Sequence, residues 1–416
     1  MSDRMKWVNA LSTRPSLEAA VTEVVETAQQ ALEGPADLGF VFISAAFASE
    51  YPRLMPLLRE KLTVPHLIGC GAGGVVGSNP TTGDRQEVEA EPALSLMLGY
   101  LPGVKVETFH LRAEDLPDLD SPPDRWVEAI GVPPQDRPHF ILLADPFLSK
   151  VYDLLQGLDF AYPGAAKVGG LASAGYSSQG MSLFCDYHLY DEGTIGVALS
   201  GDVEIETIVA QGCRPIGKPY RIAEGERNVI LGLEELELGG EITSPGEPQP
   251  PLKLVRELIQ TLDEDDRQLA QTSLFVGLVR DEFKPELEPG DFLIRNLIGV
   301  DPHLGALAIG DRVRPGQRIQ FHLRDARTSA EDLEMLLQRY EISSSDAPNS
   351  MGALMFACLG RGEGLYGEPD FDSDLFHRYF EGVPLGGFFC NGEIGPVGGT
   401  TFLHGYTSVF GICRQR

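Results

Sequence analysis

The sequence predicts an α/β (α+β) protein, with mixed sheets flanked by helices and arranged as two domains. Two observations carry that prediction. A strand–helix–strand–glycine loop–hairpin unit recurs along the chain, and a proline- and glycine-rich stretch interrupts it near residues 239–251. Composition agrees: 43% hydrophobic and 23% charged residues are ordinary for a chain that folds around packed cores.

The first unit opens with a helix over 17–32, where Leu17, Val21, Val24, Ala28 and Leu32 share one face. Ser16 stands at the N-cap position and Gly34-Pro35 stops the helix. A buried strand is expected over 39–45 and a helix over 52–62. A short strand at 66–68 then enters the glycine loop Gly69-Cys70-Gly71-Ala72-Gly73-Gly74, and strand-like runs follow at 93–100 and 104–111. The order repeats one hundred residues on, with a strand at 140–143, a helix over 147–158, and Lys167-Val168 entering Gly169-Gly170. Further runs at 181–190 and 194–200 complete it. A third copy is read from a strand at 353–358, a helix over 372–380, the loop through Phe389, Cys390, Asn391 and Glu393, and a strand over 401–412.

Prolines and glycines at 239–251 hold neither a helix nor an inner strand. The expected division is therefore an N-terminal helical segment 1–35 packed on a domain 36–230, a linker or insertion 231–251, and a domain 252–416. Within the last, a helix is expected at 252–262, a strand at 273–279, and a helix at 330–340 capped by Ser329.

Charge excludes some partners. With 61 acidic against 33 basic residues the formal net charge is −28, a field that repels nucleic acid and anionic membrane surfaces. No apolar run is long enough to span a bilayer and no secretory signal is visible, so a cytoplasmic location is expected. The cysteines are scattered without a C-x-x-C pair, which reads as reduced thiols with no zinc site, and no cofactor is expected.

The glycine run 69–74 fits G-x-G-x-x-G, yet a dinucleotide site needs a helix directly after it, and Val75–Gly83 is hairpin material. The glycines read instead as a tight turn, or as exposed backbone that a ligand approaches. The other phosphate-loop, zincin and hydrolase motifs are absent from the sequence. In the C-terminal third, Gln320, His322 and Arg324 alternate onto one strand face beside Asp325, and Cys358 and Arg361 sit on a glycine turn. If these stretches and Asn391-Gly-Glu393 converge, arginine grips a carboxylate and Glu393 an ammonium, which suits a small zwitterion. Each has an ordinary alternative: a surface ion pair for the charges, a packed ring for His322. Cys358 or Cys390, with His322 or His377 as base, would be the nucleophile of a hydrolase or transferase. Both cysteines equally read as small buried hydrophobes.

These stretches resemble the FIST family (F-box and intracellular signal transduction). The N-terminal resemblance is carried by Ile68-Gly-Cys-Gly-Ala-Gly-Gly-Val-Val-Gly77, Val168-Gly-Gly-Leu-Ala-Ser173 and Gln211-Gly-Cys-Arg-Pro-Ile216. The C-terminal one rests on Phe292-Leu-Ile-Arg295, Phe321-His-Leu-Arg-Asp325, Phe356-Ala-Cys-Leu-Gly-Arg-Gly362 and Gly387-Phe-Phe-Cys-Asn-Gly-Glu-Ile-Gly395. The resemblance implies a sensory module for small ligands such as amino acids, and in some relatives protein recruitment beside an F-box. It implies no catalytic residues. The sequence has no recognisable F-box, kinase or cyclase region, so the output is expected to pass through a separate signalling partner, or the chain acts as a recruiting scaffold.

Overall fold

The computed structural model describes the chain except residues 1–3, 79–84, 148, 176–180, 237–246, 285, 289 and 344–350. The proline- and glycine-rich stretch 239–251 thus lies largely outside the described residues. The rest divides into two compact units, Met1–Ala210 with Glu334–Arg416, and Gln211–Leu333.

The first unit is built from three repeats. The first comprises β1 (Lys6–Ser12), α1 (Leu17–Leu32), β2 (Leu38–Ser44), α2 (Tyr51–Lys61), β3 (His66–Ala72), β4 (Gly74–Ser78), β5 (Arg85–Glu89) and β6 (Leu94–Tyr100). Helix α1 has the expected bounds, with Ala19 N donating to Ser16 Oγ and Glu33 closing it in the left-handed region. The second repeat runs through β7 (Val104–Leu111), α3 (Pro123–Ile130), β8 (His139–Ala144), α4 (Val151–Ala161), β9 (Lys167–Leu171), β10 (Leu183–Cys185), β11 (His188–Tyr190) and β12 (Thr194–Gly201).

The third repeat begins with β13 (Glu204–Ala210) and is then interrupted by the second unit. That unit holds β14 (Arg214–Glu226), β15 (Val229–Glu235), α5 (Pro251–Thr261), α6 (Glu264–Ala270), β16 (Leu274–Val279), β17 (Phe292–Asp301), β18 (Ala306–Ile309) and β19 (Arg318–Leu323). Its strands close into a barrel in the order β14-β15-β18-β17-β16-β19. The repeat resumes through α7 (Ala326–Ser343), β20 (Met351–Cys358), α8 (Glu363–Tyr366), α9 (Phe371–Tyr379), β21 (Leu385–Cys390), β22 (Glu393–Val397), β23 (Thr400–His404) and β24 (Ser408–Arg414).

Three six-stranded sheets result, and their orders are one pattern: β1-β6-β2-β3-β10-β11, β7-β12-β8-β9-β22-β23 and β13-β24-β20-β21-β4-β5. Each repeat supplies four strands to its own sheet and lends its hairpin to a neighbour's. The hairpin β10–β11 completes the first sheet, β22–β23 the second and β4–β5 the third, so the exchange runs in a ring. Each sheet contains one parallel pair joined through a helix (β2–β3, β8–β9, β20–β21).

Helices and sheets divide the burial. Phe42, Cys70, Ile141, Val168, Phe356 and Cys390 share one inner core to which all three repeats contribute. Separate outer cores lie beneath α1 with α2, and beneath α3 with α4. The expected division at 231–251 differs from this arrangement. The chain leaves the three-sheet unit after Ala210 and re-enters it at Glu334, because β24 pairs with β13 and β21 with β4, far from either in sequence. What is described of the stretch near 239–251 pairs within the barrel unit, where Gln249 and Leu233 exchange backbone bonds at 2.9 Å.

Two local expectations are corrected. The glycines read as loops lie inside strands, Gly69 and Gly71 in β3, Gly169 and Gly170 in β9, and Gly387 in β21. Helix α7 begins at Ala326 and is capped by Asp325, which accepts from Thr328 N at 2.7 Å. Ser329 is inside that helix and its hydroxyl donates to Gly212 O at 3.2 Å.

Candidate functional site

The three strand glycines explain one another. In the parallel pairs Gly69 faces Val41, Gly169 faces Leu142 and Gly387 faces Met355. A Cβ at these glycines would sit 1.9, 1.8 and 2.0 Å from the carbonyl oxygen of the facing residue. No side chain fits at that distance, so the three positions are structurally equivalent and the strands close together only through glycine. Gly169 and Gly387 also take φ values of +152° and +156°.

Four residues beyond each glycine the repeats meet. The three positions are Gly73, Ser173 and Asn391. Ser173 N donates to Gly71 O at 3.2 Å, and Asn391 N donates to Leu171 O at 3.1 Å. The third link of the ring is indirect. Gly73 N donates to Ser173 Oγ at 2.9 Å, and that hydroxyl donates to the Phe389 carbonyl. One hydroxyl thus ties the ends of β3, β9 and β21. Ser173 is 7% exposed, while Asn391 and Leu359 are exposed and Cys358 is half-buried, so the junction has an accessible rim. Leu359 lies over it: a Cβ on Gly73 would be 2.6 Å from Leu359 Cδ2.

Below the rim the packing is close. A Cβ on Gly170 would meet Cys390 Sγ at 2.3 Å, so the thiol fills the space that glycine leaves. Burial pushes the thiols of Cys70 and Cys390 well above their usual range, for Cys390 with Glu393, Cys70 and Cys358 adding to it. Such thiols are poor nucleophiles at neutral pH. Cys358 Sγ accepts from Gly360 N at 3.4 Å. His377 offers no base, since its Nδ1 lies 2.7 Å from Ser373 O and its Nε2 3.2 Å from Val383 O.

The expected cationic and anionic anchors are engaged inside the protein. The Arg361 guanidinium, 1% exposed, binds Asp372 through Nε at 2.7 Å and Nη2 at 2.9 Å, and Nη2 also meets Tyr366. Glu393 is buried and its Oε2 accepts from Thr407 N at 3.1 Å. His322, Arg324 and Asp325 belong to the barrel unit. His322 is 1% exposed, its Nδ1 lies 3.0 Å from Gln320 O, its ring meets Phe292 edge-on, and burial pushes its pKa down to about 4. Asp325 caps α7 and pairs with Arg214 at 3.3 Å. The junction therefore unites the glycines, Phe389, Cys390 and Asn391, whereas Arg361 and Glu393 serve the interior. Ser173, which sequence reasoning passed over, is the hub. Its spacing from Gly169 matches that of Gly73 from Gly69 and of Asn391 from Gly387, and this was the signal. Among the described residues no group of histidine, cysteine and carboxylate side chains is placed to hold a metal ion, and no helix is long and apolar enough to cross a membrane.

The described residues form an α/β scaffold of three interleaved repeats with an inserted barrel, and their strand ends meet at a glycine junction. The chain belongs to the FIST family: the FIST N domain matches residues 37–235 and the FIST C domain residues 251–396. FIST domains are signal-transduction domains. An uncharacterised protein of Mycobacterium tuberculosis is 34% identical over 400 residues, covering 96% of this chain and 97% of its own. An F-box/LRR-repeat protein of Arabidopsis thaliana is 24% identical over 466 residues, covering 98% of this chain and 85% of its own. F-box only protein 22 of Homo sapiens is 38% identical over 84 residues, which is 19% of this chain and 21% of its own.

Proposed function

We propose that the chain is an intracellular small-ligand sensor whose ligand, an amino acid or small carboxylate, binds at the rim of the three-repeat junction, with output through a separate partner. The observation that carries this reading is the Ser173 bridge. A single hydroxyl between Gly73 N and Phe389 O links all three repeats, so an occupant competing for it would act on every sheet at once. Asn391 and the turn at Cys358–Gly360 add polar groups at the same rim. Binding to a pre-formed backbone site suits a compact polar ligand, because backbone N–H and C=O groups fix orientation at little entropic cost.

A thermal-shift screen of amino acids and small carboxylates tests it. A true ligand at about 100 times its Kd adds about 2.7 kcal/mol and raises Tm. The shift should fall away in Ser173→Ala and Asn391→Ala, which leave the barrel untouched. If no compound moves the wild-type Tm, or both variants respond as the wild type does, the junction is structural and the reading fails.

A recruiting scaffold is the second reading. It is favoured by Tyr152 and Phe160, 59% and 56% exposed and two turns apart on α4, and by the F-box names of two relatives. Aromatic side chains exposed on one helix face are typical of docking surfaces. Loss of partner capture in a Tyr152→Ser/Phe160→Ser variant that keeps its ligand-induced shift would support it.

A further inference from the structure

Beside the junction, the hairpin β4–β5 of the first repeat is held against the third repeat by carboxylates. Ser373 N donates to Glu87 Oε1 at 2.6 Å, Glu87 N donates to Asp370 Oδ1 at 2.5 Å, and Glu363 N donates to Glu89 Oε1 at 2.9 Å. Glu87 is 6% exposed, and its Oε2 has no hydrogen-bond partner among the described residues. We propose that Glu87 is a proton-operated clasp, closed when its carboxyl is neutral and loosened when it ionises, which sets how firmly the turn carrying Leu359 covers the three-repeat junction.

The charges facing Glu87 dictate the direction. From α9 and the residue before it come Asp372 and Asp370, with Asp374 further along the helix; Glu89 and Arg85 share its own strand. Arg361 is the nearby cation, and it is committed to Asp372 and Tyr366. Arg85 reaches Asp374 at 4.0 Å. An ionised Glu87 would be a second buried anion with no cation of its own, a costly state. Burial, then Asp372 and Asp370, push its pKa up to about 8 against the backbone bond from Ser373.

Clasp and junction are joined by a short piece of chain. Arg361 N donates to Cys358 O at 2.9 Å, and Leu359 N donates to Cys390 O at 3.0 Å. A single residue, Gly360, therefore separates Leu359, packed on Gly73, from Arg361, whose guanidinium is packed into the carboxylate cluster. Loosening of the segment 361–373 would loosen Leu359 with it. The clasp rests on the fold and not on the ligand reading: it stands or falls without any compound being bound.

The linkage has a definite sign. An acid whose pKa is raised in the closed state favours closure at low pH, and that preference is lost as pH rises from the ordinary glutamate value to the closed-state value. Local opening should then rise by up to about tenfold per pH unit between roughly pH 5 and pH 8, and level off above. His377, on the same helix, has its pKa lowered by burial and contributes with the opposite sign. Comparing wild type with Glu87→Gln isolates the carboxyl, because glutamine keeps the shape without the titration.

The experiment is amide hydrogen exchange on the full chain from pH 5 to 9, corrected for intrinsic exchange, with the Glu87 carboxyl followed by carbon NMR. The expected result is that protection of Ser373 and Glu363 falls with pH in the wild type, that E87Q holds it flat or lets it rise, and that the carboxyl titrates well above pH 6. A carboxyl that titrates near pH 4–5, or a pH profile that survives in E87Q, overturns the proposal. Should E87Q fail to fold, the wild-type carboxyl titration alone decides. A ligand screen that fails while the clasp titrates as expected would sink the sensor reading and leave the clasp standing.

Discussion

The two units solve the same problem of closing β-structure in opposite ways. The barrel closes on itself within one unbroken stretch, Gln211–Leu333, and each of its strands pairs with others of that stretch. The three-sheet unit closes by exchange, and no repeat can complete its own sheet without another's hairpin. The tight glycines differ in what they meet: in the barrel Gly277 would bring a Cβ to 2.4 Å from the His322 ring, a side chain. In the parallel pair of each repeat of the three-sheet unit, Gly69, Gly169 and Gly387 face a backbone carbonyl oxygen, which has no side chain to give way. Charges follow the same division: the barrel's ion pairs at Arg214 and Arg221 keep some solvent, whereas Arg361–Asp372 is enclosed.

The largest expected effect tests that contrast directly. Gly169→Ala or Gly387→Ala places a methyl carbon within 2.0 Å of a backbone oxygen in an interlocked strand pair. Either should abolish a folded three-sheet unit, a loss above about 4 kcal/mol, seen as missing soluble monomer or a collapsed urea transition. A well-folded Ala variant would show that the strands can separate and would break the equivalence of the repeats.

Next comes Arg361→Met, which leaves Asp372 buried without its cation and should cost about 3–5 kcal/mol by denaturant titration. Arg214→Met in the barrel, whose side chain is 29% exposed, should cost about 1 kcal/mol or less. Equal losses would mean that enclosure does not separate the two pairs.

A pH comparison follows. Burial depresses the His322 pKa to about 4, below the roughly 6.5 of an unfolded histidine. Its stabilising effect is present above pH 6.5 and is lost as pH falls through the folded value, up to about 3 kcal/mol. Barrel amides should therefore open on acidification, while the Glu87 clasp tightens over the same range. An imidazole resonance titrating near 6.5, or barrel exchange that stays flat from pH 7 to 4.5, would remove the contrast.

The smallest effect is Gly316→Ala in the barrel. Its φ is +91° and a Cβ there meets nothing within 4 Å, so only the left-handed backbone is penalised, by about 1 kcal/mol. A loss as large as that for Gly387→Ala would show that Gly316 is as constrained as the interior glycine.

Much of this was readable from the chain alone. The helical face at Leu17–Leu32 with its Ser16 cap, the apolar strands and their α/β order, and the threefold recurrence of strand, helix and glycine are local patterns, set by side-chain period and backbone freedom. The acidic charge and the FIST motifs were legible for the same reason, since both are written in contiguous residues. The partners were not. Nothing in the sequence near Arg361 says that Asp372, not a ligand carboxylate, fills its fork, nor that Glu393 would turn to Thr407 N. Register hid a further step. The recurrence spaced at 100 residues holds for Gly69 and Gly169, but their facing residues, Val41 and Leu142, are 101 apart. The interleaved hairpins, the barrel set inside the third repeat and the Ser173 bridge depend on pairings between residues 100 to 313 positions apart. Sequence determines which segments can be strands and where backbones can come close. Which strands meet, and which charges are left facing one another once water is expelled, is decided only when the three repeats close on a common core.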